Sequence, residues 1–85
     1  MKVTNQTSLQ DIMDYVYFHH VIIKFKNGVK KKYFILDTAP AEDGTNSGKD
    51  EVVYMTSHDK DPEGMDRYAG NGIPIDEIDT IEVTD

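Results

Sequence analysis

Eighty-five residues without a cysteine describe one small domain that must hold together without disulfides or thiolate-bound zinc. Its net charge of −7 repels phosphate backbones at long range and argues against general nucleic-acid binding. No apolar run exceeds four residues, Val21-Ile22-Ile23 and Tyr33-Phe34-Ile35-Leu36 among them, far short of the roughly 20 residues of a membrane span, and the opening M-K-V-T-N-Q-T-S lacks an apolar leader, so a cytoplasmic protein without membrane association is expected.

Residues 7–18 read as a helix. Leu9, Ile12, Met13 and Val16 recur at three- and four-residue steps, Ser8 is placed to accept a backbone N–H as N-cap, and Asp11 suits the positive end of the helix. The period then changes. His20 to Lys26 alternates at its end, Asn27-Gly28 supplies turn chemistry with positive φ at both central positions, and Val29 to Leu36 is rich in strand formers, so residues 20–36 form a hairpin. On its second strand Val29, Lys31, Tyr33 and Ile35 face one way and Lys30, Lys32, Phe34 and Leu36 the other. Neither side is purely polar, which implies a curved strand running from an exposed end into a core.

Residues 37–51, D-T-A-P-A-E-D-G-T-N-S-G-K-D-E, have the composition of a flexible loop, either functional or an insertion at a tolerant tip. Residues 52–83 hold the remaining strands: Val52 to Thr56, a turn at D59-K-D-P-E-G64, and Met65 to Ala69 beyond it. In I73-P-I-D-E-I-D-T-I-E-V83 the apolar steps are two, three, three and two. Steps of two belong to strands and steps of three to a 3₁₀ turn, so this tail predicts strand, one turn over Asp76 to Asp79, and strand. Pro74 confines its strand to an edge or an end.

The predicted fold is mainly β, a single domain over residues 1–85: a short N-terminal helix, then a strongly curved five-stranded antiparallel barrel with a 3₁₀ turn before the last strand. This order resembles the small Sm-like and SH3-like barrels, and the I73–V83 tail is similar to the barrel closure of YolD-like bacterial proteins. The resemblance implies a bacterial or phage-type module. RNA-binding Sm-like proteins carry an aspartate–asparagine loop and an arginine–glycine pair where this chain reads L36-D-T-A-P40 and G70-N-G-I-P74, so their activity does not transfer with the fold. Their edge-to-edge rings would need the strand holding Pro74, and a monomer or homodimer is expected instead.

Four groups of residues invite a chemical reading. Asp59, Asp61 and Glu63 occupy calcium-loop positions one, three and five and Gly64 occupies six, but position twelve is Gly70 instead of a bidentate glutamate; an acidic turn is the better account, and no metal or cofactor is expected. His19, His20 and His58 are the only imidazoles. The adjacent pair should point to opposite faces of a strand, and no nucleophile accompanies His58, so no enzyme is expected and no catalytic residue is assigned.

Charge is segregated. Residues 1–36 hold six lysines against two aspartates (+4), and residues 37–85 hold three cations against fourteen carboxylates (−11). Lys24, Lys26, Lys30, Lys31 and Lys32 line one hairpin with Tyr33 and Phe34, a pattern that holds single-stranded nucleic acid through phosphate contact and stacking or simply protects an edge from aggregation. Asp59, Asp61, Glu63, Asp66, Asp76, Glu77 and Asp79, with Glu82 and Asp85, would form a continuous negative face if the last two hairpins lie together. Such a face suits a basic partner protein, or could mimic nucleic acid and inhibit an enzyme that acts on it. The leading expectation is a noncatalytic module that binds a partner protein; a lysine-hairpin nucleic-acid binder and an acidic inhibitor are the alternatives.

Overall fold

In a computed structural model describing residues 1–85, the Ser8 hydroxyl accepts the N–H of Asp11 at 3.0 Å and caps helix α1 (Leu9–Val16). The helix buries Ile12 and Val16 and packs against the sheet. It ends two residues before the expected boundary because Tyr17 turns out of the helix and Phe18 takes φ +55°.

Five antiparallel strands follow: β1 (His20–Phe25), β2 (Lys30–Ala39), β3 (Glu51–Lys60), β4 (Asp66–Pro74) and β5 (Ile78–Val83). They form one sheet in the order β4-β3-β2-β1-β5. The two end strands do not pair with each other, so the sheet is open where the sequence led us to expect closure into a barrel.

The β1–β2 turn differs from the two-residue form anticipated at Asn27-Gly28. Gly28 has φ +90°, whereas Asn27 stays at negative φ. The Gly28 N–H donates to Phe25 O and the Phe25 N–H to Val29 O, which makes a three-residue loop ending in a left-handed glycine. Asn27 contributes through its side chain, whose Oδ1 accepts the Val29 N–H at 3.0 Å.

Strand β2 serves two neighbours in succession. Its first half pairs with β1, His20 opposite Phe34 and Lys24 opposite Lys30; its second half pairs with β3, and a bulge between Ile35 and Asp37 changes the phase. The curvature expected from the mixed faces is seated at that bulge. The strand continues to Ala39 and β3 begins at Glu51, so the flexible loop expected over residues 37–51 shrinks to residues 40–50. What remains is tied down: residues Ala41–Asp43 form a 3₁₀ turn, the Ala41 N–H donates to Asp50 Oδ1 at 2.8 Å, the Thr45 hydroxyl to Lys49 O at 2.6 Å, and the Ser47 N–H to Glu51 Oε2 at 3.1 Å.

Strands β3 and β4 run well past the expected residues 56 and 69 and project as a long hairpin whose outer half, beyond a bulge between Met55 and Ser57, is exposed. The tail closes the chain as its spacing suggests, with the 3₁₀ turn one residue early at Ile75–Glu77. Ile73, Ile78 and Ile81 join Val3, Ile12, Val16, Val21, Ile23, Ile35 and Val52 in one buried cluster. The outer edge of β5 is covered. Met1 N donates to Ile81 O at 2.7 Å, the Ile81 N–H to Met1 O, the Val3 N–H to Asp79 O, and the Val83 N–H to the Tyr15 hydroxyl at 3.4 Å. No helix is long and apolar enough to cross a membrane.

Candidate functional site

The alternation of strand side chains fixes which residues share the face turned away from the core. On β1 and β5, Val21, Ile23 and Ile81 are buried, so His20, Ile22, Lys24 and Glu82 point outward. On β2 the outward phase is Lys30, Lys32, Phe34 and Leu36. On β3 and β4, Val52 opposite Ile73 is buried, which turns Glu51, Val53 and Met55, with Gly72 and Gly70, outward; beyond the second bulge His58 and Tyr68 lie opposite each other on this same face.

At the centre of the face stands a chain of aromatic rings that the sequence reading did not assemble. Phe18 lies 5.3 Å from Phe34, 5.8 Å from Tyr68 and 4.9 Å from Tyr17 between ring centroids. His20 meets Phe34 at 4.8 Å, and His58 stacks on Tyr68 at 4.8 Å with the planes only 11° apart. Tyr17 is 52% exposed, Phe18 42% and Tyr68 43%. Phe18 is the one non-glycine residue at positive φ, a conformation that costs an L-residue about 1–2 kcal/mol. That backbone turn swings the Phe18 ring off the end of α1 and onto β2 and β4. No sequence pattern announces it, because Phe18 lies between a helix period and a strand period. Beside the rings, where β2 leaves β1 for β3, a hollow of about 420 Å³ is lined by His20, Lys32, Tyr33, Phe34, Tyr54 and Met55, among others.

The lysine hairpin divides. Lys24, Lys30 and Lys32 share the outer face, joined by Lys2, whose backbone bridges Thr80 next to Lys24. Lys31 sits opposite buried Ile23 and so takes the other phase. Lys26 lies past the end of β1, its N–H on Glu77 O and its side chain beside Asp76 in a shallow cleft. Tyr33 corrects the expected stacking platform: its ring turns toward the core and rests 4.6 Å from Tyr54. Burial, and next the Tyr54 phenol, push its pKa up. Phe34 is the aromatic residue that accompanies the outer lysines.

The acidic residues do not form one continuous face. Asp59, Asp61, Glu63 and Asp66 occupy the tip of the β3–β4 hairpin, whereas Asp76, Glu77 and Asp79 follow its base. Asp66 pairs with Lys60 and Pro74 with Glu51, and the strand between them is roughly 26 Å long at ~3.3 Å per residue. Both groups are partly neutralised. Lys60 Nζ reaches Asp66 at 2.9 Å, Lys49 Nζ reaches Asp76 at 2.8 Å and Lys24 Nζ reaches Asp79 at 3.6 Å. The Lys60 hydrogen bond, then His58, holds the Asp66 carboxyl below its usual range, and the hydrogen bond to Asp76 raises Lys49. Asp61 is spent on its own turn, where Oδ1 accepts the N–H groups of Glu63 and Met65 at 3.1 and 2.9 Å.

The adjacent histidines do not diverge as strand alternation suggests, because His19 precedes β1. Both imidazoles reach Asp85, with Nδ1–carboxylate distances of 3.1 Å for His19 and 2.6 Å for His20. The His20 side chain, then the His20 N–H, bring the Asp85 carboxyl down to about 2. No three His, Asp or Glu side chains gather in a metal-binding arrangement.

One carboxylate stands apart. Glu51 is the single buried charged residue, 5% exposed. It lies across Gly72, where a Cβ would overlap its side chain. Gly70 similarly lies beneath Val53 and Leu36. Glycine at both positions lets side chains of the outer face fold over the strand. Comparison with protein-family models, with curated proteins and with solved structures finds no match.

Proposed function

We propose that this chain is a noncatalytic protein-binding module, a bacterial or phage-type relative of the small Sm-like and SH3-like barrels, and that it docks a partner segment carrying both apolar and basic side chains on its outer face. The observation that carries the reading is the ring cluster centred on Phe18, which meets Tyr17, Phe34 and Tyr68 and leaves Tyr17, Phe18 and Tyr68 exposed. Aromatic rings are enriched at the centres of protein interfaces, where they contribute large contact area at small entropic cost. A strained residue at the hub supports the same reading, since backbone strain persists where the surrounding structure enforces it and collects at functional positions. The rim selects the charge of the partner: Asp66 and Asp85 flank the rings through His58 and His20, and the chain as a whole carries −7. The noncatalytic part of the proposal draws on His58, which faces Asp66 and stacks on Tyr68 with no nucleophile in hydrogen-bond reach.

Selection of linear peptides from a random library against the folded protein tests this. Peptides mixing apolar and basic residues are expected to emerge, to shift the backbone amides of Phe18, Phe34 and Tyr68 in ¹⁵N spectra, and to lose binding at least tenfold on Phe18→Ala with Tyr68→Ala, as for paired interface anchors at roughly 1–2 kcal/mol each. Selected peptides that bind the double variant unchanged would refute it. A second reading draws on Lys24, Lys30 and Lys32 sharing the face with His20 and Phe34: a single strand of nucleic acid lying along lysines and rings. Salt-sensitive binding of an oligothymidylate, lost on Lys30→Glu with Lys32→Glu, would favour that reading.

A further inference from the structure

We infer that the cleft beside Glu51 is a guanidinium-binding site, built to take an arginine side chain of the partner. Glu51 Oε2 accepts the Ser47 N–H at 3.1 Å, and no donor reaches Oε1. Because no side-chain nitrogen or oxygen is both sealed from solvent and without a partner, Oε1 must open onto the adjoining cleft. That cleft, about 260 Å³, lies between the residue 43–46 turn and the Gly70-Asn71-Gly72 stretch of β4. Asp43 supplies a second carboxylate there and Asn46 an amide, and no lysine or arginine lines it; the Asn71 amide is engaged elsewhere, its Oδ1 accepting the Gly72 N–H at 2.9 Å and its Nδ2 donating to the Tyr54 hydroxyl at 3.4 Å. Lys49, the cation nearest Glu51 in the chain, is engaged at Asp76.

A carboxylate taken from water without a counter-charge is an uphill arrangement that an incoming cation relieves. The shape of the site selects among cations. It is too roomy for a bare metal ion, and no third acidic or imidazole ligand joins Asp43 and Glu51. A guanidinium offers five N–H donors in a planar fork, which matches one free carboxylate oxygen, a second carboxylate and the Asn46 amide oxygen better than the three diverging donors of an ammonium. The cleft opens on the same face as the rings: Tyr68, Gly70 and Gly72 lie in one phase of β4, so about 13 Å of strand separates the Glu51 carboxylate from Tyr68 at ~3.3 Å per residue. Four or five residues of extended partner chain would span it. The assignment rests on the protein-binding proposal only for the source of the cation; the site itself is independent of it.

The experiment is a ¹⁵N titration with N-acetyl-arginine methylamide, beside N-acetyl-citrulline methylamide, which has the same shape without charge, and the lysine equivalent. Arginine is expected to shift the Ser47, Gly70, Asn71 and Gly72 amides saturably, lysine more weakly and citrulline not at all. Glu51→Gln should weaken the arginine probe about tenfold or more, the value of a charge-assisted hydrogen bond. Asp43→Asn, a change on an exposed turn that leaves the core untouched, should weaken it about threefold, as for a solvated ion pair of under 1 kcal/mol. Equal shifts from arginine and citrulline, shifts confined to the rings, or arginine affinity unchanged in Asp43→Asn and Glu51→Gln would overturn the assignment. If the free probe binds while no library peptide docks on the rings, the guanidinium site stands and the protein-binding proposal falls. If peptides dock on the rings and the free arginine probe leaves the cleft unshifted, the reverse holds.

Discussion

The contact between Gly72 and Glu51 makes a sharp test of why a charged side chain is buried in so small a protein. A Cβ placed at Gly72 meets the Glu51 carboxylate as its nearest neighbour, and the Glu51 Cβ at 3.2 Å. Gly72→Ala should therefore evict the carboxylate, break its bond to the Ser47 N–H and loosen the residue 43–47 turn. Loss of a hydrogen bond to a charged acceptor is worth about 1.5–3 kcal/mol, offset in part because the freed carboxylate regains water; a net destabilisation of about 1–2 kcal/mol follows. With Glu51→Ala already in place the carboxylate is gone and only the 3.2 Å Cβ approach remains, which a shift of a few tenths of an ångström relieves. Alanine is also favoured over glycine within a strand by roughly 0.5–1 kcal/mol. In that background Gly72→Ala should be neutral or slightly stabilising. Urea unfolding followed by far-ultraviolet circular dichroism on the four proteins of the cycle gives the coupling directly. An equal cost for Gly72→Ala in both backgrounds would refute the account and place the requirement for glycine in the backbone.

Other outcomes follow from the same structure. Ile35→Ala, at a fully buried position where β2 passes from β1 to β3, should cost about 2–5 kcal/mol in urea unfolding and leave the chain largely unfolded at 37 °C. Ser8→Ala removes the α1 cap and should cost about 1 kcal/mol, whereas Ser8→Asp should retain most of the stability. The Asp85 carboxyl titrates at about 2 when folded, below its usual range. Its stabilising contact with His20 is thus complete above the unfolded carboxylate pKa and is lost as pH falls through the folded value. A carbon-detected titration should find the Asp85 midpoint near 2, moving up toward the ordinary carboxylate range in His20→Ala.

Where the sequence was informative, the signal was local and periodic. Ser8 ahead of Leu9, Ile12 and Val16 defined a helix start because cap and apolar stripe coincide within two turns, and the two-three-three-two spacing of Ile73 to Val83 located a 3₁₀ turn between strands. Long-range pairing was less accessible. Thr38 and Ala39 read as loop because their partners, Val52 and Glu51, lie beyond Pro40, Gly44 and Gly48. The exposed arm of β3 is read short, its strand ending at Thr56 and its turn beginning at Asp59, since no apolar side chain marks a strand held only by its neighbour. The site suffered most. Lys30, Lys32 and Phe34 share a face by simple alternation and were legible, but Phe18 enters through a left-handed backbone turn, and His58 reaches Tyr68 only through a bulge in β3 that resets the phase.

Those phase changes also bear on which class of ligand the outer face favours. Taken from β1 toward the hairpin base, the face passes from lysines 24, 30 and 32 to the ring chain and then to the Glu51 cleft. A nucleic-acid strand gains at the lysine end through its phosphates, yet meets Asp85 and Asp66 on either side of the rings and two carboxylates at the cleft, each repelling the same charge that the lysines attract. A peptide carries no obligatory charge. It can set acidic or neutral residues beside Lys30 and Lys32, apolar residues on Phe18 and Tyr68, and an arginine at Glu51, satisfying every region in one extended pass. The mixed sign of the face is therefore an argument for a polypeptide ligand, and it gives that ligand a direction: acidic or neutral end toward β1, arginine toward the base of the β3–β4 hairpin.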